Sequence, residues 1–450
     1  MLIPISIRRT VPTVVRLVLP AALVVLLAAP LMLLAACGPA SPTPPPASPG
    51  PTPSVTVPFE MPVVIAIYGR FDDQTLAVLD RQIATFEAEN SDVFVEVAEA
   101  KRDEDARRAE MADALARGDS SLDLYVVPTT WVAALAAGGG LAPLASQLAA
   151  HGVDVASFFP ASAEAATHDG ELVAMPWTTD GGFLYYRRDL LDEYGVAPPA
   201  TWPALAETVA RVAGPASLDA GFVWQGAAYE GLTCNTLELV WAEGGAVLGP
   251  EEAVVWDTPE TVAGLAQMEA FIAEGVSPPE VATWREAAAL EAFGAGDALF
   301  MRNWAYAWDR LNEPGSPVAG KIGMAPLSAS CLGGQVIALS QASLYPEQAA
   351  RFLAFLAAHE QQVELALEGV QPPARMAVYT DDEVLVQQPI LADVYRGLQV
   401  TRPRPASPHY PALSAAIYTQ VNDMLRGEAE PAETAAAIQA EIETIVEGGP

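Results

Sequence analysis

From residue 63 onward the apolar positions of this chain switch repeatedly between two periods. Val63-Val64-Ile65-Ala66-Ile67-Tyr68 is an unbroken apolar run ending at Gly69, the pattern of a strand buried on both faces. Over Gln74–Glu89, Leu76, Leu79, Ile83 and Phe86 recur at helical spacing. Val93, Val95 and Val97 alternate as a strand does. Glu104–Arg117 then reads as helix, Asp123–Val127 as strand and Trp131–Ala137 as helix. Repeated strand–helix units of this length predict an α/β domain built on a parallel sheet. After about residue 185 the helical stretches lengthen. Thr201-Trp202-Pro203 and Thr258-Pro259-Glu260 have the polar cap and first-turn proline of helix starts. Tyr345–Glu368 predicts one long helix, and Ala412–Glu447 predicts two, broken near Gly427–Pro431. No internal repeat of solenoid or propeller period is present.

The first 58 residues are of another kind. Residues 18–36, VLPAALVVLLAAPLMLLAA, form a long apolar run behind Arg8, Arg9 and Arg16, with no acid before Cys37. A positive region, an apolar region and small residues at the cut make a signal peptide. Leu34-Ala35-Ala36-Cys37 resembles a bacterial lipoprotein lipobox, which implies removal of 1–36 and acylation of the Cys37 thiol at the new N-terminus. The alternative is an uncleaved membrane-spanning helix, for which the run is nearly long enough. Gly38–Pro58 is uncharged and rich in proline. Such a segment favours extended polyproline II and reaches roughly 60 Å at about 3.1 Å per residue, so 37–58 reads as a tether.

Composition narrows the function classes. The chain carries 56 Asp and Glu against 23 Lys and Arg, a net charge of −33, and the leader contributes only Arg. That acidity argues against nucleic acid and anionic lipid as partners. About 390 residues remain beyond the tether, enough for two lobes with buried cores. Beyond Cys37 the cysteines are Cys234 and Cys331. In an exported body they are candidates for a disulfide, the alternative being two separate buried thiols.

Catalytic signatures are absent: no G-x-S-x-G, no H-E-x-x-H and no phosphate-binding G-x-x-x-x-G-K. The four histidines are scattered, so no metal site is expected, and nothing calls for an organic cofactor. Four aromatic-plus-polar clusters stand out instead: Pro176–Gly182, Trp224–Gly231, Arg302–Tyr306 and Pro372–Arg375. This mixture suits sugars, because flat rings cover the C–H faces of a pyranose while carboxylates, amides and Arg pair with its hydroxyls. Core packing is the ordinary role of each aromatic taken singly, and Trp224 and Trp241 are expected in the core.

These segments resemble the extracellular solute-binding proteins of sugar ABC importers, in particular the trehalose/maltose-binding branch. The resemblance is carried by WQGAAYEGLTCNTLELVWAEGG (224–245), PWTTDGGFLYYRRDLL (176–191), LFMRNWAYAW (299–308) and LGGQVIALS (332–340). It implies a two-lobed periplasmic-binding-protein-like α/β fold with an interlobe cleft and crossings near 183–187, 332–335 and 371–375. The lobes would comprise 59–182 plus 335–371 and 187–332 plus 375–445.

It also implies site residues. Asp180 and Arg375 would bind sugar hydroxyls, and Trp304 and Tyr306 would stack or wall the site. Tyr229 and Glu230 would face the cleft, and Gly333 and Gly334 would let backbone approach the ligand. Arg70 and Asp72 would reach in from the first lobe, and Trp256 is a further platform candidate. Asp180, Arg375 and Glu230 have structural alternatives as a turn cap, a hinge ion pair and a helix-start acid. Two positions depart from the family pattern: Pro128, where an Asp is common, and Gln335, where a Trp is. The first subsite is therefore altered. The function implied is a monomeric, lipid-anchored receptor that delivers a sugar, such as trehalose or maltose, to ABC permease subunits, without chemistry of its own. The alternatives are an exported carbohydrate-active enzyme and a ligand-sensing lipoprotein for a membrane receptor.

Overall fold

The computed structural model describes residues 7–8, 62–368 and 371–448. Cys37, the tether 37–58 and all of the leader except Ile7–Arg8 lie outside the described residues.

Two sheets carry the body. In the first, Val63–Gly69 lies parallel to both Val93–Glu99 and Leu124–Pro128. Gln335–Leu339 then pairs antiparallel with Leu124–Pro128 on one side and Ala174–Pro176 on the other. Ile7–Arg8 adds a short antiparallel edge to Val93–Glu99. The predicted elements fall within a residue or two: the helices are Asp73–Glu89, Glu104–Ala116 and Val132–Ala136. Their apolar stripes close over the sheet, and Ile67, Leu79, Phe86, Val126 and Phe352 share one core.

In the second sheet Ala220–Val223 is parallel to Ala298–Asn303, followed by antiparallel Phe183–Arg187 and Ile322–Pro326. Phe183–Arg187 is therefore an inner strand, hydrogen-bonded on both sides, and not the crossing expected there. The chain passes between the sheets slightly earlier, through Asp180–Gly181, which pairs with Leu332–Gly333. The second core gathers Trp202, Phe222, Trp224, Trp241 and Trp256. Its helices start as read: the Thr201 hydroxyl accepts the Ala204 N–H and the Thr258 hydroxyl accepts that of Thr261.

The long helix expected over Tyr345–Glu368 is two helices, Pro346–Leu356 and His359–Leu367. Side-chain groups cap the break, one from the second helix and one from beyond it. The Gln362 amide donates to the Leu356 carbonyl, and the Arg375 guanidinium donates to that of Ala357. Local periodicity carries no trace of either bond. The C-terminal helices Tyr410–Leu425 and Pro431–Glu447 break where predicted.

Candidate functional site

A cavity of about 630 Å³ opens where the two lobes meet. Asp72 and Gln74 of the first lobe line it, with Asp180 at the passage between the sheets, Tyr306 and Trp308 from the second lobe, and Gln371 from the final crossing. That volume suits a small organic ligand of several rings.

Asp180 is set by its neighbours. Its Oδ1 accepts the Gly181 N–H at 2.8 Å and the Ala305 N–H at 3.2 Å. Oδ2 has no protein hydrogen bond among the described residues and is available to the cavity. Burial pushes this carboxyl up to about 7, against the opposing pull of the two N–H groups. Facing Asp180 in the ladder is Gly333, where a Cβ would come within 3.1 Å of the Trp304 ring. Gly334 has φ of +98°, and a Cβ there would strike the Thr178 carbonyl. Backbone of this shape, this close to an aromatic ring, needs glycine.

Trp304 is held from below. The Arg302 guanidinium stacks on its ring at 4.1 Å from the centroid. Arg302 is itself fully buried and paired with Glu238 through two bonds of 2.5 and 3.0 Å. Burial works against that cation, but the Glu238 charge outweighs it and keeps Arg302 ionised. Gln225 and Asn235 complete the network: Gln225 donates to the Arg302 carbonyl and Asn235 donates to Gln225. The Tyr185 hydroxyl donates to the Trp304 carbonyl, fixing the Asn303–Ala305 turn. Beside the ring, Trp304 Nε1 lies 3.5 Å from Glu286 Oε1. Burial and then the Glu286 charge raise the Tyr229 phenol well above its ordinary range.

The other candidate residues divide. Tyr306 is exposed on the cavity wall. Tyr229 precedes the helix Glu230–Glu243 and has Arg285 over its ring at 4.4 Å. Both oxygens of Glu230 are engaged: Oε1 accepts from Arg404 at 2.6 Å and from Tyr410, and Oε2 accepts from Ser414. Burial raises the Glu104 carboxyl of the first lobe above the usual carboxylate range, and the charge of Glu230 in the second lobe adds to the rise. Asp72 lines the cavity, but its carboxylate caps the helix that follows, accepting from Gln74 N, Thr75 N and Thr75 Oγ1. Arg70 donates to the adjacent Phe71 carbonyl. Pro128 and Gln335, the two departures from pattern, stand directly opposite each other in one ladder.

Two expectations need correction. Arg375 does not line the cavity; it holds the Ala357 carbonyl at 3.0 Å while its backbone N–H donates to Gln362. Trp256 is not a platform, because it is fully buried in the second core. Cys234 and Cys331, the disulfide candidates, are free, buried thiols in this structure.

The arrangement is a binding cleft: Asp180 and Tyr306 line the cavity, while the braced Trp304 ring stands beside Asp180 at Gly333, half-buried against the second core and not among the lining residues. The family model for the bacterial extracellular solute-binding protein matches residues 72–363. The chain belongs to this family. The probable ABC transporter-binding protein of Deinococcus radiodurans is 34% identical over 342 residues, 73% of this chain and 79% of that one. The maltose-bound MalE3 of T. maritima is 33% identical, with a TM-score of 0.73 over 84% of this chain and 99% of that one. The cyclic alpha-maltosyl-1,6-maltose binding protein of Arthrobacter globiformis shares the fold at 23% identity, with a TM-score of 0.74 over 86% and 100%.

Membership makes this solute-binding protein an extracytoplasmic component of an ABC transport system and not an enzyme. Among the described residues no helix is long and apolar enough to cross a membrane. The residues that sequence reasoning missed in this solute-binding protein are Glu238, Glu286 and Arg404, and Arg302, though part of a named cluster, was given no role. The Arg302–Glu238 and Arg404–Glu230 pairs join positions 64 and 174 residues apart, which no local pattern announces.

Proposed function

We propose that this solute-binding protein captures a sugar in the interlobe cleft, a disaccharide of the trehalose or maltose kind, and hands it to the permease subunits of an ABC importer. The observation that carries the reading is Asp180 on the cavity wall, with one carboxylate oxygen free of protein hydrogen bonds among the described residues, beside the Tyr306 ring that lines the cavity and the braced Trp304 ring next to it. A pyranose presents hydroxyls at its rim and C–H groups on its faces, and a site with one carboxylate and one flat ring answers both. The maltose-bound T. maritima relative supports the class of ligand.

Binding shifts the lobes toward a closed form that the permease recognises, and no covalent step is involved. Glu104 and the Glu230–Arg404 pair are the groups such a movement brings together or parts. Acylated Cys37 and the proline tether hold the monomeric body near the permease and raise its local concentration there.

A thermal-shift screen against disaccharides, monosaccharides and polyols tests the reading. A ligand at about 100 times its dissociation constant adds roughly 2.7 kcal/mol, a shift of a few degrees. A response to one or two sugars, recovered intact, supports capture. A flat response across the panel refutes it.

A further inference from the structure

Cys234 and Cys331 take no part in the cleft described above, yet they lie where two of its elements meet. Cys234 is one turn into the helix that begins at Glu230, and its sulfur is 3.5 Å from Arg404 Nη1. The same guanidinium bonds Glu230 Oε1 at 2.6 Å and the Leu332 carbonyl at 2.7 Å. Cys331 lies in the strand Ser330–Gly333, which pairs with Asp180–Gly181. Its N–H donates to Glu238 Oε1, one turn beyond Cys234 on the same helix. The bond from Cys331 N–H to Glu238 sets the two cysteines side by side where the helix meets the strand, and neither is more than 1% exposed. The remaining cysteine, Cys37, is at the end of the leader, so each thiol has the other as its neighbour in the body.

We propose that Cys234 and Cys331 form a redox-sensitive staple: in the exported protein they join as a disulfide that ties the Glu230 helix to the strand carrying Gly333. The extracytoplasmic setting of the family permits such a bond to form and persist. The inference rests on that setting and not on the identity of the ligand.

The oxidant is a disulfide, small-molecule or protein. One cysteine thiolate attacks a sulfur of that donor, and the donor's other sulfur leaves as a thiolate and takes up the proton released by the cysteine. The second cysteine thiolate attacks the mixed disulfide, and the second donor sulfur leaves and is protonated in turn. Two protein thiols are thereby oxidised to one disulfide while one donor disulfide is reduced to two thiols. Because both sulfurs are buried in the finished fold, the exchange occurs as the second lobe folds, before the helix seals against the strand.

Alkylation mapping of the full chain tests the proposal, with the protein exported by a bacterial host, extracted in detergent and purified without reductant. On unfolding with an alkylating agent, Cys234 and Cys331 should escape modification and appear in one linked peptide until reductant is added. Closing a loop of roughly 100 residues should raise the melting temperature by ~5 °C, an increment that reductant removes. Cys234→Ala and Cys331→Ala should show no reductant-dependent shift, and should one fail to fold, the wild-type map still decides. Quantitative alkylation of both thiols without reductant would overturn the proposal, in exported protein and equally after refolding in oxidised and reduced glutathione. Sugar binding by the reduced protein, measured in parallel, separates failure of the staple from failure of the binding reading.

Discussion

Replacing Asp180 with Asn separates its two oxygens. Oδ1 accepts from Gly181 N and Ala305 N, and the Asn carbonyl can accept both bonds, so the turn should survive. Oδ2 becomes an amide NH2, which donates where a carboxylate accepted. A ligand hydroxyl that donated to the carboxylate loses a charge-assisted bond worth about 1.5–3 kcal/mol, roughly a 10- to 150-fold rise in Kd. Protonation of the wild type should act in the same direction. With the Asp180 carboxyl pushed up to about 7 by burial, affinity should fall as the pH drops through that value, by up to ~10-fold per unit.

Stability should move the opposite way. Between about 4, where the unfolded carboxyl titrates, and about 7, the folded state holds more protons than the unfolded one, so wild-type stability declines as pH rises across that window. Asp180→Asn should lack this decline and melt no lower than wild type at pH 8. Calorimetric titration of the ligand and thermal melts over pH 4–8.5 provide both readouts. A variant that binds as wild type does but melts lower at every pH would refute the reasoning and leave Asp180 as a turn residue.

Trp304→Ala should weaken binding by about 1–2 kcal/mol, roughly 5- to 30-fold, with titration calorimetry as the check. Arg302→Met strands the Glu238 carboxylate, so urea unfolding should show a loss of about 3–5 kcal/mol. The double variant Arg302→Met/Glu238→Leu should recover much of that loss, and equal instability in both would count against the paired-charge account. Arg375→Ala should cost about 1–3 kcal/mol of stability by leaving the Ala357 carbonyl unpaired, while leaving ligand affinity within about twofold; a large rise in Kd instead would return Arg375 to the site.

The legible parts of this chain were those governed by neighbours in sequence. The run Val63–Tyr68 forms the strand Val63–Gly69, and the stripe Leu76–Leu79–Ile83–Phe86 packs one face of the helix Asp73–Glu89. The apolar periods, caps and prolines that define such elements are local quantities. The helix break at Ala357–Ala358 was not legible, because its caps are particular side-chain bonds, from Gln362 six residues on and from Arg375 beyond the segment, that apolar periodicity does not register. Trp256 shows the same limit, since an aromatic beside polar residues reads alike in a cleft and in a core. Only the packing of the second lobe distinguishes them. Trp304 was found through the Arg-Asn-Trp pattern. What braces it, the Arg302–Glu238 pair beneath the ring, depends on a helix docking against a strand.

The most direct test of capture in this cleft is a crystal structure of the protein with the sugar identified by the screen. The account predicts a ligand hydroxyl within about 2.5–3.0 Å of Asp180 Oδ2 and a sugar ring laid against Trp304, with the glycosidic bond intact. A sugar bound away from both residues, or hydrolysed in the site, would contradict it.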